Sequence, residues 1–249
     1  MATRDEMSRS FGAAAGVYES GRPDYPTEAV QWLLEPMREP GRALRVADVG
    51  AGTGKLTRVI AGLGDDVVAI DPDSEMLAAL HAAVPGVPTF VGTAERMPLP
   101  DASLDAVVLG QAWHWVDAIR GSLEVGRVLR SGGMLGLIWN VRDERLPWVR
   151  RMSEIMHGSS AEQMLADGHP PVAPPFSTLD EQVWGWTRPM SRGALQDMAR
   201  SRSYVITAAP EEKERIETEL DLLFDEIGVV GGSTIELPYV TKAYRGQRP

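Results

Sequence analysis

The sequence predicts an α/β protein built on a doubly wound, mostly parallel sheet. Leu44, Val46 and Val49 form an apolar run that stops at three closely spaced glycines, Gly50, Gly52 and Gly54. Leu56, Val59, Ile60 and Leu63 then recur at i, i+3, i+4 and i+7, the apolar stripe of a helix. Further apolar runs at 67–71, 104–109 and 133–141 are separated by helical patterns. That alternation predicts crossover units with helices on both faces of one sheet.

The elements follow in order. Residues 1–26 form a polar arm, with a short helix expected from Phe11 to Tyr18 before Pro23 and Pro26 break the chain. Thr27 is placed to cap a helix through Arg38 whose Ala29, Val30, Leu33 and Leu34 face inward. After the glycine turn and its helix comes a second strand ending at Asp71. Asp73 or Ser74 caps the next helix, with Met76, Leu77, Leu80 and Val84 buried and His81 in solvent. Thr93-Ala-Glu95 follows a third strand, and the prolines of residues 96–101 mark a loop crossing to the fourth. Ile119, Leu123, Gly126 and Leu129 recur at helical spacing in the helix after that strand. Leu135, Leu137 and Trp139 share one side of the fifth strand.

From residue 142 to about 180 the pattern changes. A helix is expected over 145–157, but Gly168-His-Pro-Pro-Val-Ala-Pro-Pro175 suits neither a helix nor a central strand. Trp148, Met152 and Met156 give this insertion an apolar face, which either covers a substrate pocket or packs on the sheet. A strand over 182–190 follows, then a short helix capped by Ser191, a longer one opened by Pro210, and a last strand over 234–245. All 249 residues are expected to form a single domain.

Composition excludes several classes of function. A net charge of -10 argues against a nucleic-acid partner, because phosphate binding relies on clustered cations. With no cysteine there is no disulfide framework, thiolate metal site or cysteine nucleophile. The amino terminus has no apolar signal region, and no apolar run approaches the ~18 residues of a membrane span. A cytoplasmic protein is expected, and its oligomeric state is unknown from the linear pattern.

Strand, glycine turn and helix place backbone N–H groups and a positive helix end at one spot, a nucleotide-class pocket. A phosphate-cradling G-x-x-x-x-G-K-[ST] loop is excluded, since Val49 stands at its first glycine and Leu56 at its hydroxyl. A dinucleotide fingerprint, G-x-G-x-x-G, does not match G-x-G-x-G either.

Asp48-Val-Gly-Ala-Gly-Thr-Gly resembles the first motif of class I S-adenosylmethionine-dependent methyltransferases. Asp71, about 20 residues beyond the glycines, Thr93-Ala-Glu95, Gln111-Ala-Trp-His-Trp115 and Ser131-Gly-Gly133 continue the match. Their order is similar to that of the methyltransferase type 11 and trans-aconitate methyltransferase-like group over residues 10–142. The resemblance implies a Rossmann-like sheet of seven strands, order 3-2-1-4-5-7-6, with strand 7 antiparallel. It also implies S-adenosylmethionine as cofactor and S-adenosylhomocysteine as its product.

By that resemblance, Gly50, Ala51, Gly52 and Gly54 receive the methionine part, while Asp48 orients the turn or pairs with the ammonium. Asp71 takes the ribose hydroxyls. Pro72 or Met76 covers one adenine face and Ala94 the other; Glu95 substitutes where relatives place an acid and this chain has Thr93. Gln111 completes the cofactor set. Tyr18, Arg22 and Tyr25 are candidates for a lid, and Trp113, Trp115, Trp139 and Trp148 for an acceptor cavity. His114 is either a general base for a hydroxyl, amine or carboxylic acid nucleophile, or a packing group between Trp113 and Trp115.

No metal is expected, because the four histidines lack ligand spacing and Gln111 stands where metal-dependent relatives place an acid. The absence of an N/D-P-P-Y segment after the fourth strand disfavours amino-methylation of DNA or RNA. The reading is a methyltransferase acting on a small molecule through an O- or N-nucleophile. Its rivals are a nicotinamide-dependent oxidoreductase on a similar sheet and a non-catalytic regulator that binds S-adenosylmethionine.

Overall fold

A computed structural model describes residues 21–157, 160–166 and 168–249. The helix expected from Phe11 to Tyr18 lies outside the described residues. Helix α1 spans Thr27–Leu34 and buries Ala29, Val30, Leu33 and Leu34. It stops short of Arg38 in a 3-10 turn, Glu35–Met37, since Pro36 has no N–H to continue the ladder. Thr27 is its first helical residue rather than its cap.

The elements that follow are β1 (Arg45–Val49), α2 (Lys55–Gly62), β2 (Asp66–Asp71), α3 (Ser74–Ala83), β3 (Thr89–Val91) and β4 (Leu104–Gly110). Then come α4 (Ala118–Val128), β5 (Leu129–Arg142), α5 (Pro147–Ile155) and α6 (Ser160–Ala166). The chain ends with β6 (Asp180–Ser191), α7 (Arg192–Arg200), α8 (Ser203–Thr207), α9 (Pro210–Glu226) and β7 (Thr234–Gln247). Asp73 and Ser191 cap their helices as expected, each side chain accepting main-chain N–H groups of the first turn.

Seven strands form one sheet in the order β3-β2-β1-β4-β5-β7-β6. The first five pair in parallel, and β7 runs antiparallel to both neighbours. Each crossover brings the chain back to the same end of the sheet, so the carboxyl ends of β1, β2 and β4 open together at the point where the strand order reverses. Helices α1 and α2 pack on one face over Val46, Ala106, Val108 and Ile138. Helices α4 and α6 cover the other, over Val107, Leu135, Leu137 and Trp139.

One helix faces differently from its expected stripe. Ile119 and Leu123 of α4 are exposed, and Gly121, Ser122, Val125 and Gly126 are buried. Small residues let the helix lie close: a Cβ on Gly126 would stand 2.7 Å from Pro175 Cγ. Hydrophobicity alone misphased the helix because Gly121, Ser122 and Gly126 fill much of its inner face beside Val125 and Val128, while Ile119 and Leu123 lie outside.

The insertion also divides. Its helix α5 puts Val149, Met152 and Met156 into a second core with α7, α8, α9 and the outer ends of β6 and β7. Its proline segment is stitched to the sheet side, where Trp113 Nε1 donates to Pro171 O at 2.8 Å and Ala173 N donates to Ser122 Oγ at 2.9 Å. Among the described residues no helix is long and apolar enough to cross a membrane.

Candidate functional site

The glycine turn joins β1 to α2 with Gly50, Gly52 and Gly54 all at positive φ, 70°, 54° and 89°. A Cβ on Gly50 would stand 2.6 Å from Ala112 Cβ, and one on Gly54 would meet Leu80 Cγ at 2.7 Å. The turn is therefore pinched between the post-β4 segment and α3. Its amides are not free as expected. Gly50 N and Ala51 N donate to Ile70 O, Gly54 N to Ala51 O, and Gly52 N to Asp71 Oδ2. What the turn offers a ligand is close approach to backbone, not a nest of unused donors.

Asp71, at the tip of β2, is the charged centre of the site. Oδ2 accepts from Gly52 N at 2.8 Å and Oδ1 from Asp73 N at 2.9 Å. Burial pushes its carboxyl up to about 6, with these two N–H groups opposing. A carboxylate has about four lone-pair directions, so each oxygen keeps capacity for another donor.

Asp48 lies beneath the turn. Its Oδ2 accepts from Thr57 Oγ1 at 2.6 Å, tying β1 to α2, and its Oδ1 has no partner among the described residues. Complete burial pushes it up to about 7, against the Thr57 hydrogen bond.

Beside the turn lies a cavity of about 340 Å³. Gly50, Gly52, Asp71, Pro72, Met76, Thr93, Ala94, Glu95, Gln111 and Trp115 line it, all residues that the sequence singled out. Asp48, Ala51 and Gly54 of the expected cofactor set do not; they shape the turn from behind. Gln111 adopts φ 55°, held there by Nε2 donating to Asn140 O at 2.7 Å and its own N–H donating to Ile138 O at 2.9 Å. Such a backbone persists only where its surroundings over-determine it. Glu95 Oε1 accepts from Asp117 N at 2.9 Å and so draws the start of α4 toward the cavity.

The other candidates separate. Trp113 and Trp139 are core residues and Trp148 packs against the second core; none of the three lines the cavity. His114 is buried and outside the lining. Its ring lies 4.8 Å from that of Trp115, and its Nδ1 accepts from Trp139 Nε1 at 3.4 Å. In the arm, Tyr25 places its hydroxyl over Gly110, where a Cβ would come within 2.6 Å. Asp24 helps fix the arm, pairing with Lys55 Nζ at 3.2 Å and accepting at its carbonyl from Asn140 Nδ2 at 3.1 Å. Arg22 turns away to donate to Ser201 O at 3.1 Å. Tyr18 lies outside the described residues.

Sequence reasoning missed Ala112, Val116 and Arg120 in the lining. Asp117 caps α4, with Ile119 N and Arg120 N donating to Oδ1, and this fixes the first turn against the cavity. The signal was Asp117 followed by a helical pattern, but the misphased stripe hid the face that Val116 and Arg120 share.

A methyltransferase-domain family matches residues 47–137. The chain is 46% identical to an uncharacterized methyltransferase of Mycobacterium tuberculosis across 98% of this chain and 97% of that one. It is 35% identical to a malonyl-[acyl-carrier protein] O-methyltransferase of Methylococcus capsulatus, over 51% of this chain and 48% of that one. The fold is similar to that of phosphoethanolamine N-methyltransferase 2 of Haemonchus contortus in complex with S-adenosyl-L-methionine. There the TM-score is 0.55 at 14% identity, over 100% of this chain and 60% of that one.

Proposed function

The chain belongs to the class I S-adenosylmethionine-dependent methyltransferases, and from that premise we propose that it O-methylates a small carboxylic acid. It is an enzyme and its cofactor is S-adenosylmethionine, so the oxidoreductase and non-catalytic readings are set aside. The observation that carries the site assignment is the Asp71 carboxylate, buried at the tip of β2 and exposed to the cavity beside the glycine turn. Its remaining lone pairs accept the ribose hydroxyls. Pro72 and Met76 flank the adenine on one side and Ala94 on the other, with Thr93 and Glu95 at its edge. The Gly50–Gly52 backbone takes the methionine part, with the space where a Gly52 Cβ would stand open to a ligand.

S-adenosylmethionine supplies a methyl group already activated by its sulfonium, which leaves alignment, desolvation and any proton exit to the chain. A carboxylic acid is ionised at neutral pH and releases no proton when methylated. That matches a cavity whose described lining contains no His or Lys. A phenol or amine would need a group to take its proton, and the one nearby imidazole is engaged at Nδ1 by Trp139. The similarity to a malonyl-[acyl-carrier protein] O-methyltransferase supports the same class of acceptor. Trp115 shapes the acceptor end and Tyr25 closes it from the arm. With a net charge of -10, a small cytoplasmic acceptor fits better than a nucleic acid.

Calorimetric titration with S-adenosylmethionine tests the assignment. Asp71→Asn is expected to weaken binding 10- to 100-fold, the ~1.5–3 kcal/mol of a hydrogen bond to a charged group. An unchanged affinity would overturn it. Turnover measured across a panel of carboxylic acids, phenols and amines then tests the acceptor class, with ester formation the expected product.

A further inference from the structure

Several arginines and a tyrosine crowd the outer end of β5, outside the cavity lining. Arg142 is the last residue of β5 and pairs in register with Tyr239 of β7, which pairs with Trp186 of β6. Residues directly opposite one another project to the same face. Arg142 is almost wholly buried; its Nε donates to Ser153 Oγ and its Nη2 to Glu162 Oε1, both at 2.9 Å. Its Nη1 has no partner among the described residues. Arg202 shares the same Glu162 oxygen at 4.0 Å, and its buried Nε also lacks a partner among the described residues. The buried Tyr239 hydroxyl stands beside the Arg188 guanidinium and in the field of Arg142 and Arg22.

Two guanidinium groups thus share one carboxylate, and two buried N–H donors stay unused among the described residues. Burying cationic donors without acceptors works against the fold, so the arrangement calls for an oxyanion. The cluster is also connected to the cavity. Gln111, in the lining, donates to Asn140 O, two residues before Arg142 and so ~7 Å back along the strand. Asn140 Oδ1 accepts from Thr241 Oγ1 at 2.7 Å, and Thr241 Oγ1 accepts from Trp186 Nε1 at 2.8 Å. The Trp186 ring in turn stacks on Tyr239 at 4.9 Å.

We propose that Arg142, Arg202 and Tyr239 form an oxyanion subsite for the methyl acceptor, holding a second carboxylate or a phosphate of the molecule whose other carboxylate is methylated. The inference rests on the carboxylic-acid reading above and extends it to an acceptor with two anionic groups. Guanidinium forks suit the planar, bidentate geometry of such groups, and Arg22 adds its charge to the same cluster.

The test uses the full chain saturated with S-adenosylhomocysteine, whose binding is measured first on every sample. Succinate, citrate and inorganic phosphate are titrated against it, with uncharged succinamide as control. At least one anion is expected to bind and raise Tm, while succinamide does neither. Tighter binding of phosphate than of the carboxylates assigns the subsite to a phosphoryl group, and the reverse to a carboxylate. Tyr239→Phe, which removes only the hydroxyl, and Arg202→Gln are each expected to raise the anion Kd about tenfold, with S-adenosylhomocysteine affinity unchanged. No anion binding to a chain that holds S-adenosylhomocysteine overturns the subsite, as does an anion Kd left unchanged from the unaltered protein in both variants. Methyl transfer to the amine or phenol of an acceptor that also carries a carboxylate, with a KM raised by Tyr239→Phe, would overturn the nucleophile assignment while supporting the subsite.

Discussion

A neutral imidazole has one nitrogen lone pair to offer, and in His114 that lone pair, on Nδ1, already receives the Trp139 indole N–H. The ring packs beside that of Trp115. General bases contribute ~10²- to 10⁴-fold to rate. His114→Ala is therefore expected to lower turnover by less than about tenfold, with the slope of the pH–rate profile retained. A loss of 100-fold or more with a vanished pH limb would restore the base role. Asp71 was legible in the sequence because an acid at a strand end needs only local geometry to reach a ligand. The chemistry of His114 was not, since its hydrogen-bond partner stands 25 residues away on a neighbouring strand.

At the scale of elements, α4 shows how close packing governs placement. Alanine in place of a mid-helix glycine gains ~1 kcal/mol in helix propensity. At Gly126 the added Cβ would press on the Pro175 ring, whose Cγ would be 2.7 Å away. Overpacking of this kind costs ~1–3 kcal/mol. Gly126→Ala is accordingly expected to lower the denaturation midpoint with an unchanged m-value; a raised midpoint would refute the close approach of the proline segment to α4. The strands and most helix ends were readable from apolar period, prolines and capping residues. The phase of α4 was not, because glycine and serine on its inner face dilute the signal of Val125 and Val128 while Ile119 and Leu123 lie exposed.

Over the whole molecule, two buried acids beneath and beside the glycine turn tie stability to pH. Asp48 is pushed up to about 7 and Asp71 to about 6, whereas an unfolded aspartate titrates near ~3.9. The folded chain therefore holds protons that the unfolded chain has already lost. This contribution is complete below about pH 4 and disappears as pH rises through 6 to 7. The Tm of the protein without ligand is expected to fall between pH 5 and 8, and Asp48→Asn to flatten that fall. Equal slopes for the two proteins would show that Asp48 is ionised throughout.

The linear sequence by itself determined the strand–glycine–helix unit, the acid at the next strand's tip and the alternation that winds the sheet. Each depends on backbone conformation and spacing within a few residues, which side-chain chemistry dictates locally. Only the tertiary structure decided that Trp115 alone among the candidate tryptophans lines the cavity, and that the turn's amides are already bound. It also decided that Arg142 stands opposite Tyr239 and shares Glu162 with Arg202. Those convergences depend on the register of β7 between β5 and β6 and on which helix face lies against the sheet. Both follow from the burial of residues far apart in the chain, a balance that local spacing does not contain.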